Sequence, residues 1–304
     1  MEKITNLLSL DTLNALSKAN LNSYPQILDT STKEIHNRTR ISLEDIKKIK
    51  KVAADEVLKN KICTVDQLPP WDRLRTGCKN IDSVLRNGLP INGIVELYGP
   101  SGVGKTQFCL QVALQTKLSC DKGAVYICTE DVFPAKRLSQ LSVLWREKHN
   151  LNIDFESNVY IQHIPDSIHL NKCLKVSLPR LMETKNIGII VIDSIAGLFR
   201  SENENPNYIT RSQDFREISR NLLQLQKKYN CALLVTNQYF KVIDNLITGI
   251  SEPCLGLAWA NNVVTRLSIQ RTCNNVRSFQ VIFSPDLPPL TTNFIIESDG
   301  LNSV

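Results

Sequence analysis

Gly99-Pro100-Ser101-Gly102-Val103-Gly104-Lys105-Thr106 fits the pattern G-x-x-x-x-G-K-[ST] at every defined position. It follows the predicted strand Ile94-Val95-Glu96-Leu97-Tyr98 and precedes a helical pattern from Gln107 to Leu114. That strand–turn–helix setting gives the motif its meaning. Glycines let successive backbone N–H groups turn inward on an anion, and a helix N-terminus adds positive potential. Lys105 is then expected to reach the β- and γ-phosphates of a nucleotide, and Thr106 to ligate Mg²⁺ through its hydroxyl.

Two acids downstream complete a site of this type. Ile189-Ile190-Val191-Ile192 is an apolar strand that ends in Asp193. Desolvating an unpaired carboxylate is costly, so an acid at the end of a buried strand points to a role, here holding the metal's water shell. Glu130 follows Val125-Tyr126-Ile127-Cys128 with only Thr129 between, which places it at the C-terminal edge of the sheet, where ligands collect. It could orient an attacking water; its neighbour Asp131 is the alternative at this level of reading.

Outward from the loop, short apolar runs recur at Ala124–Cys128, Val159–Gln162, Ile187–Ile192, Ala232–Thr236 and Val263–Ile269, most of them separated by helix-length stretches. This predicts an α/β fold with a mostly parallel central sheet covered by helices on both faces. Arg277–Phe283 and Asn293–Ile296 alternate or are β-branched, and Asn274-Asn275 suits a turn, so the chain is expected to close with an antiparallel extension. Residues 1–59 show helical spacing, with Ser42 and Asp45 as a cap and Lys47-Lys48-Ile49-Lys50-Lys51 as a solvated helix face. Residues 60–75, with Pro69-Pro70, are read as a linker, leaving 76–304 as the core.

Composition narrows the classes. The 304 residues are 42% hydrophobic and 22% charged, which supports a packed core and excludes global disorder. No apolar run reaches a membrane span, and Met1-Glu2-Lys3-Ile4-Thr5 is unlike a secretory signal, so no membrane association is expected. The net charge of +6 permits contact with nucleic acid without requiring it. Nine scattered cysteines suggest free thiols in a reducing compartment, with neither a disulfide frame nor a zinc site.

The stretch from Thr76 to the end resembles the RecA-type strand-exchange recombinases: Thr76-Gly77, Ile81-Asp82, Gly88-Leu89-Pro90 and Gly93 to Gly99 resemble that family's entry into its phosphate loop. Val125 to Leu138 is similar to the strand bearing its catalytic glutamate, which falls on Glu130, with Arg137 on the adenine-stacking arginine. Thr236-Asn237-Gln238 is similar to the element that couples the γ-phosphate to the DNA loops, with Gln238 in the sensing position. Gly256 to Asn261 and Ser284 to Pro289 bring the chain closer to the eukaryotic recombinase paralogues.

The resemblance implies a RecA-like core plus a small helical N-terminal domain, ATP and Mg²⁺ as cofactors, and a nuclear, also cytoplasmic, location. It implies nucleotide contacts from Gly99 through Gln107 with Arg137 and Asp193, metal held by Thr106 and Asp193, and catalysis by Lys105, Glu130 and Gln238. Ser284-Pro285-Asp286 is similar to a cap on a neighbouring subunit's nucleotide, and Asn261 stands where active recombinases carry a histidine. DNA would meet Ser201–Arg211 and Tyr239–Leu255, the first holding Glu202 and Glu204 without a lysine and the second Lys241 alone, so single-stranded or branched DNA should bind weakly. Ile62 and Val65 are expected to dock on another paralogue by strand addition. The implied function is a weak ATPase subunit in a heteromeric complex for homologous-recombination repair of double-strand breaks. The alternative is an autonomous DNA-dependent ATPase forming its own filament and exchanging strands. A hexameric helicase is disfavoured by the N-terminal helices.

Overall fold

A computed structural model describes residues 10–19, 21–59, 64, 72–199, 208–241, 251–273 and 275–304. The chain divides into two compact units, Met1–Pro70 and Trp71–Val304.

The first unit is helical: α1 (Leu10–Lys18), α2 (Tyr24–Asp29), α3 (Thr32–Thr39) and α4 (Leu43–Lys59). Short polar residues set the starts. The Ser23 hydroxyl accepts from Gln26 N while the Gln26 side chain accepts from Ser23 N, a reciprocal cap. Ser42 accepts from Asp45 N at 3.1 Å, as its spacing predicts. Leu16, Leu21, Ile27, Ile35, Ile46, Ile49 and Ala53 form the core, each larger side chain contributing about 1.5–3 kcal/mol of burial. Helix α3 ends at Arg40, whose φ of 62° is left-handed, a conformation glycine takes at lower cost. In the lysine run, Lys47, Lys48 and Lys51 are exposed, but Lys50 donates to the carbonyls of Leu28 and Thr30 and so closes the end of α2.

The second unit opens with β1 (Arg73–Leu74), α5 (Lys79–Val84) and β2 (Leu89–Pro90), β1 and β2 pairing antiparallel with Leu74 buried. Residues 73 and 74 therefore belong to the core unit rather than to the expected linker; a two-residue strand has no periodicity for sequence to reveal. The remaining strands and α-helices are β3 (Ile94–Tyr98), α6 (Lys105–Cys120), β4 (Gly123–Cys128), α7 (Ala135–His149), β5 (Val159–His163), α8 (Ser167–Lys172), α9 (Leu178–Thr184), β6 (Ile187–Asp193), α10 (Tyr208–Tyr229), β7 (Ala232–Asn237), β8 (Tyr239–Lys241), β9 (Ser251–Pro253), α11 (Gly256–Ala260), β10 (Thr265–Arg271), β11 (Val276–Phe283), β12 (Thr291–Glu297) and β13 (Gly300–Ser303).

Nine strands form one sheet in the order β13-β12-β11-β10-β3-β7-β6-β4-β5. From β10 through β3 to β5 every pairing is parallel, and from β10 outward to β13 every pairing is antiparallel. The central parallel strands β4, β6 and β7 are almost wholly apolar and buried because both of their faces are covered. Their period-two alternation sends Ala124, Tyr126, Ile189, Val191 and Leu234 into one core and Val125, Ile127, Ile190, Ile192 and Leu233 into the other. Parallel strands end on the same side. β3, β7, β6 and β4 thus deliver the phosphate loop, Gln238, Asp193 and Glu130 to one sheet edge.

Candidate functional site

At that edge lies a cleft of about 440 Å³ lined by Ser101, Gly102, Lys105, Thr106, Glu130 and Asp193, among others. The loop between β3 and α6 forms its floor. Gly104, the residue before the helix, has a φ of 113°, which an L side chain would strain to adopt. Behind the loop, the Arg277 Nε donates to Val103 O at 2.9 Å, fixing the loop from the far side. Val103 itself is buried in the core and is not among the residues that line the cleft.

Lys105 is buried at the first helical position, and its Nζ donates to Gly99 O at 2.8 Å and Pro100 O at 2.9 Å. Burial lowers its pKa, partly opposed by the nearby charge of Asp193. Asp193 is surrounded by hydroxyls. Its Oδ2 accepts from Thr106 Oγ1 at 2.8 Å and Tyr126 Oη at 2.7 Å, and its Oδ1 accepts from Thr236 Oγ1 at 2.5 Å. Burial first, then the charge of Asp193, pushes the Tyr126 phenol far up in pKa, so it remains a donor. The same two causes raise the Cys128 thiol to about 12, which removes it as a nucleophile at neutral pH.

The Asp193 carboxylate beside the Thr106 hydroxyl is a pair of hard oxygens open to water, a donor set that fits Mg²⁺, which keeps several waters of its own. Register explains how the second acid arrives. Cys128 pairs with Asp193 across β4 and β6, so the next residues of each strand meet. Thr129 and Ser194 bond through both Ser194 N and Ser194 O, at 3.0 and 2.5 Å. Ser194 Oγ then donates to Glu130 Oε1 at 3.0 Å, and Gln238 Nε2 donates to Glu130 Oε2 at 3.2 Å. Glu130 is thereby held between two donors facing the cleft. Asp131, the alternative, lines the same cleft but is exposed.

Gln107 also lines the cleft, and its Oε1 accepts from Arg137 Nε at 2.8 Å. The other guanidinium nitrogens of Arg137 donate to Ser298 O and Glu297 O, which fixes the plane of the group beside Gln107. Tyr126, Thr129, Ser194 and Thr236 were missed by sequence reading. For Thr129, Ser194 and Thr236 the one signal is a hydroxyl at or next to the end of an otherwise apolar strand; Tyr126, inside β4, carries none.

Other expectations meet the structure less directly. Asp286, in the segment similar to a cap on a neighbour's nucleotide, is paired with Arg73 of its own chain. Of the two expected DNA segments, residues 201–207 and 242–250 lie outside the described residues, as do Ile62 and Val65. Arg211, at the margin of the first, sits in α10 with its guanidinium 5.3 Å from the Phe199 ring. Among the described residues eight cysteines are free, and no group of three or more His, Cys, Asp or Glu side chains could hold a metal. No described helix is long and apolar enough to cross a membrane.

Residues 72–304 match the family model described as Rad51. The chain is 30% identical to the DNA repair protein XRCC3 of Bos taurus, over 95% of this chain and 94% of the relative. It is also 30% identical to the DNA repair protein XRCC3 homolog of Arabidopsis thaliana, over 78% of this chain and 94% of that one. Identity to the DNA repair protein rhp57 of Schizosaccharomyces pombe is 28%, over 76% and 79% respectively.

Proposed function

Because this chain belongs to the Rad51 family, we propose that it is an ATP-binding recombinase paralogue, one subunit of a heteromeric assembly that supports homologous-recombination repair of DNA double-strand breaks in the nucleus. The observation that carries the reading is the convergence of Lys105, Thr106, Asp193, Glu130 and Gln238 on one cleft above a phosphate loop. The loop amides and the N-terminus of α6 bind the phosphates. Lys105 exchanges its carbonyl partners for phosphate oxygens. Thr106 and Asp193 hold Mg²⁺, which when bound neutralises charge on the transferring phosphoryl group. Glu130 orients the attacking water and accepts its proton, while Gln238 fixes the Glu130 carboxylate.

Sequence supports the subunit role over the autonomous filament. The segment 201–207 contributes Glu202 and Glu204 and no lysine, so few phosphates would be neutralised. Binding of single-stranded DNA to the purified chain is expected to be weak, with a salt slope of about one to two, and turnover little changed by the DNA. A strong rise in ATP turnover with DNA would favour the autonomous recombinase instead.

Assembly by strand addition needs an open sheet edge, and β5 offers one, with Ile161, Gln162 and His163 exposed. The added strand is the segment carrying Ile62 and Val65, supplied to a neighbouring paralogue of the same fold. Replacing Ile62 and Val65 together with Glu is expected to abolish co-purification with that paralogue; unchanged recovery would reject the segment as the contact.

A further inference from the structure

Strand β3 carries a residue that the phosphate loop does not explain. Glu96 is fully buried in an otherwise apolar stretch, the only buried carboxylate among the described residues. Withdrawing a carboxylate from water is costly unless its lone pairs are answered, and a well-packed apolar residue would serve stability at least as well. Here three donors answer it. Asn237 Nδ2 and Trp259 Nε1 each reach Oε1 at 2.8 Å, and Arg266 Nε reaches Oε2 at 2.5 Å.

These donors lead in different directions. Asn237 Nδ2 also donates to Cys254 O at 2.8 Å, and its Oδ1 accepts from Gln238 N at 2.8 Å. Cys254 N in turn donates to Gln238 O at 2.8 Å. One amide thus ties together the chain leaving β7 and the chain returning after β9. Gln238 reaches the cleft through its bond to Glu130. Trp259 belongs to α11, is fully buried, and meets the Phe215 ring edge-on at 5.7 Å. A continuous set of hydrogen bonds therefore runs from Glu130 through Gln238 and Asn237 to Glu96, and from there to α11.

We propose that Glu96 is a positioning residue, an anionic hub that couples Gln238 in the cleft to Trp259 and residues 253–261. It rests on the reading of the cleft as a nucleotide site. A ligand that moves Gln238 must move the backbone tied to Asn237. Asn237 and Trp259 share a single oxygen of Glu96, so the displacement reaches α11 through directional contacts. Coupling of this kind separates from stability: a merely structural Glu96 would lower the melting temperature and leave the response to nucleotide intact in the folded protein.

The experiment is hydrogen–deuterium exchange on the full chain with and without Mg²⁺ and ATPγS, beside calorimetric titration of the same ligand. In the unaltered protein, exchange across residues 253–261 is expected to slow by about tenfold on binding. In Glu96→Gln the affinity should stay within about threefold while this slowing disappears. The new amide would set an N–H against Arg266 Nε; Arg266→Gln in the same chain supplies an acceptor, so the double variant should recover much of the response. Where Glu96→Gln fails to fold, Trp259→Phe decides, because it keeps an aromatic ring and removes only the indole donor. Full slowing in whichever variant folds overturns the proposal, as does an unaltered protein that binds ATPγS with no change in these residues. Absence of binding by the unaltered protein would instead reject the nucleotide site, and the proposal with it.

Discussion

Lys105→Ala is expected to lower affinity for Mg²⁺ and ATP by at least roughly 100-fold while the fold survives. The ammonium is already desolvated, and its two present partners are main-chain carbonyls that water can serve once the side chain is gone. Bound phosphate would replace those partners with two charge-assisted hydrogen bonds. At about 1.5–3 kcal/mol each they contribute about 3–6 kcal/mol, or two to four orders of magnitude in affinity. Calorimetry reads the loss directly. A thermal melt without nucleotide should move little, and the rise in melting temperature that ligand gives the unaltered protein should vanish. Near-normal affinity in this variant would show that the phosphates lie elsewhere.

Most of this site was legible because its chemistry is local in sequence. The eight-residue loop has a fixed pattern, and Asp193 and Glu130 each follow an apolar strand, a position that parallel topology turns into a shared edge. The antiparallel extension was legible from alternation in β11 and β12. What stayed hidden depends on pairing across distant strands. Tyr126 and Thr236 read as ordinary strand residues until register places both hydroxyls on Asp193. Arg73 read as linker, yet it bonds the carbonyls of Leu85 and Gly88 and the carboxylate of Asp286, three partners no local pattern announces. Glu96 is the extreme case. Its donors come from β7, α11 and β10, up to 170 residues away along the chain.

Glu130→Gln should separate binding from turnover. The amide keeps the size of the carboxylate and can still accept from Ser194 Oγ, but it cannot take a proton from water. Loss of a general base costs typically 10²–10⁴ in rate, so ATP hydrolysis is expected to fall by about 10²-fold or more with affinity nearly unchanged. Gly197 offers an independent route to the same result. A Cβ there would lie 2.4 Å from Glu130 Cγ and 2.5 Å from Thr129 Oγ1, closer than packed atoms allow. Gly197→Ala must therefore displace the Glu130 side chain or the turn that carries it. The phosphate loop, on a different strand, is not touched by this methyl, so binding should persist. Single-turnover hydrolysis and calorimetry on both variants form the test. If Asp131→Asn loses turnover while Glu130→Gln keeps it, the base is the neighbouring acid; the two donors converging on Glu130, against the exposed carboxylate of Asp131, weigh against that outcome.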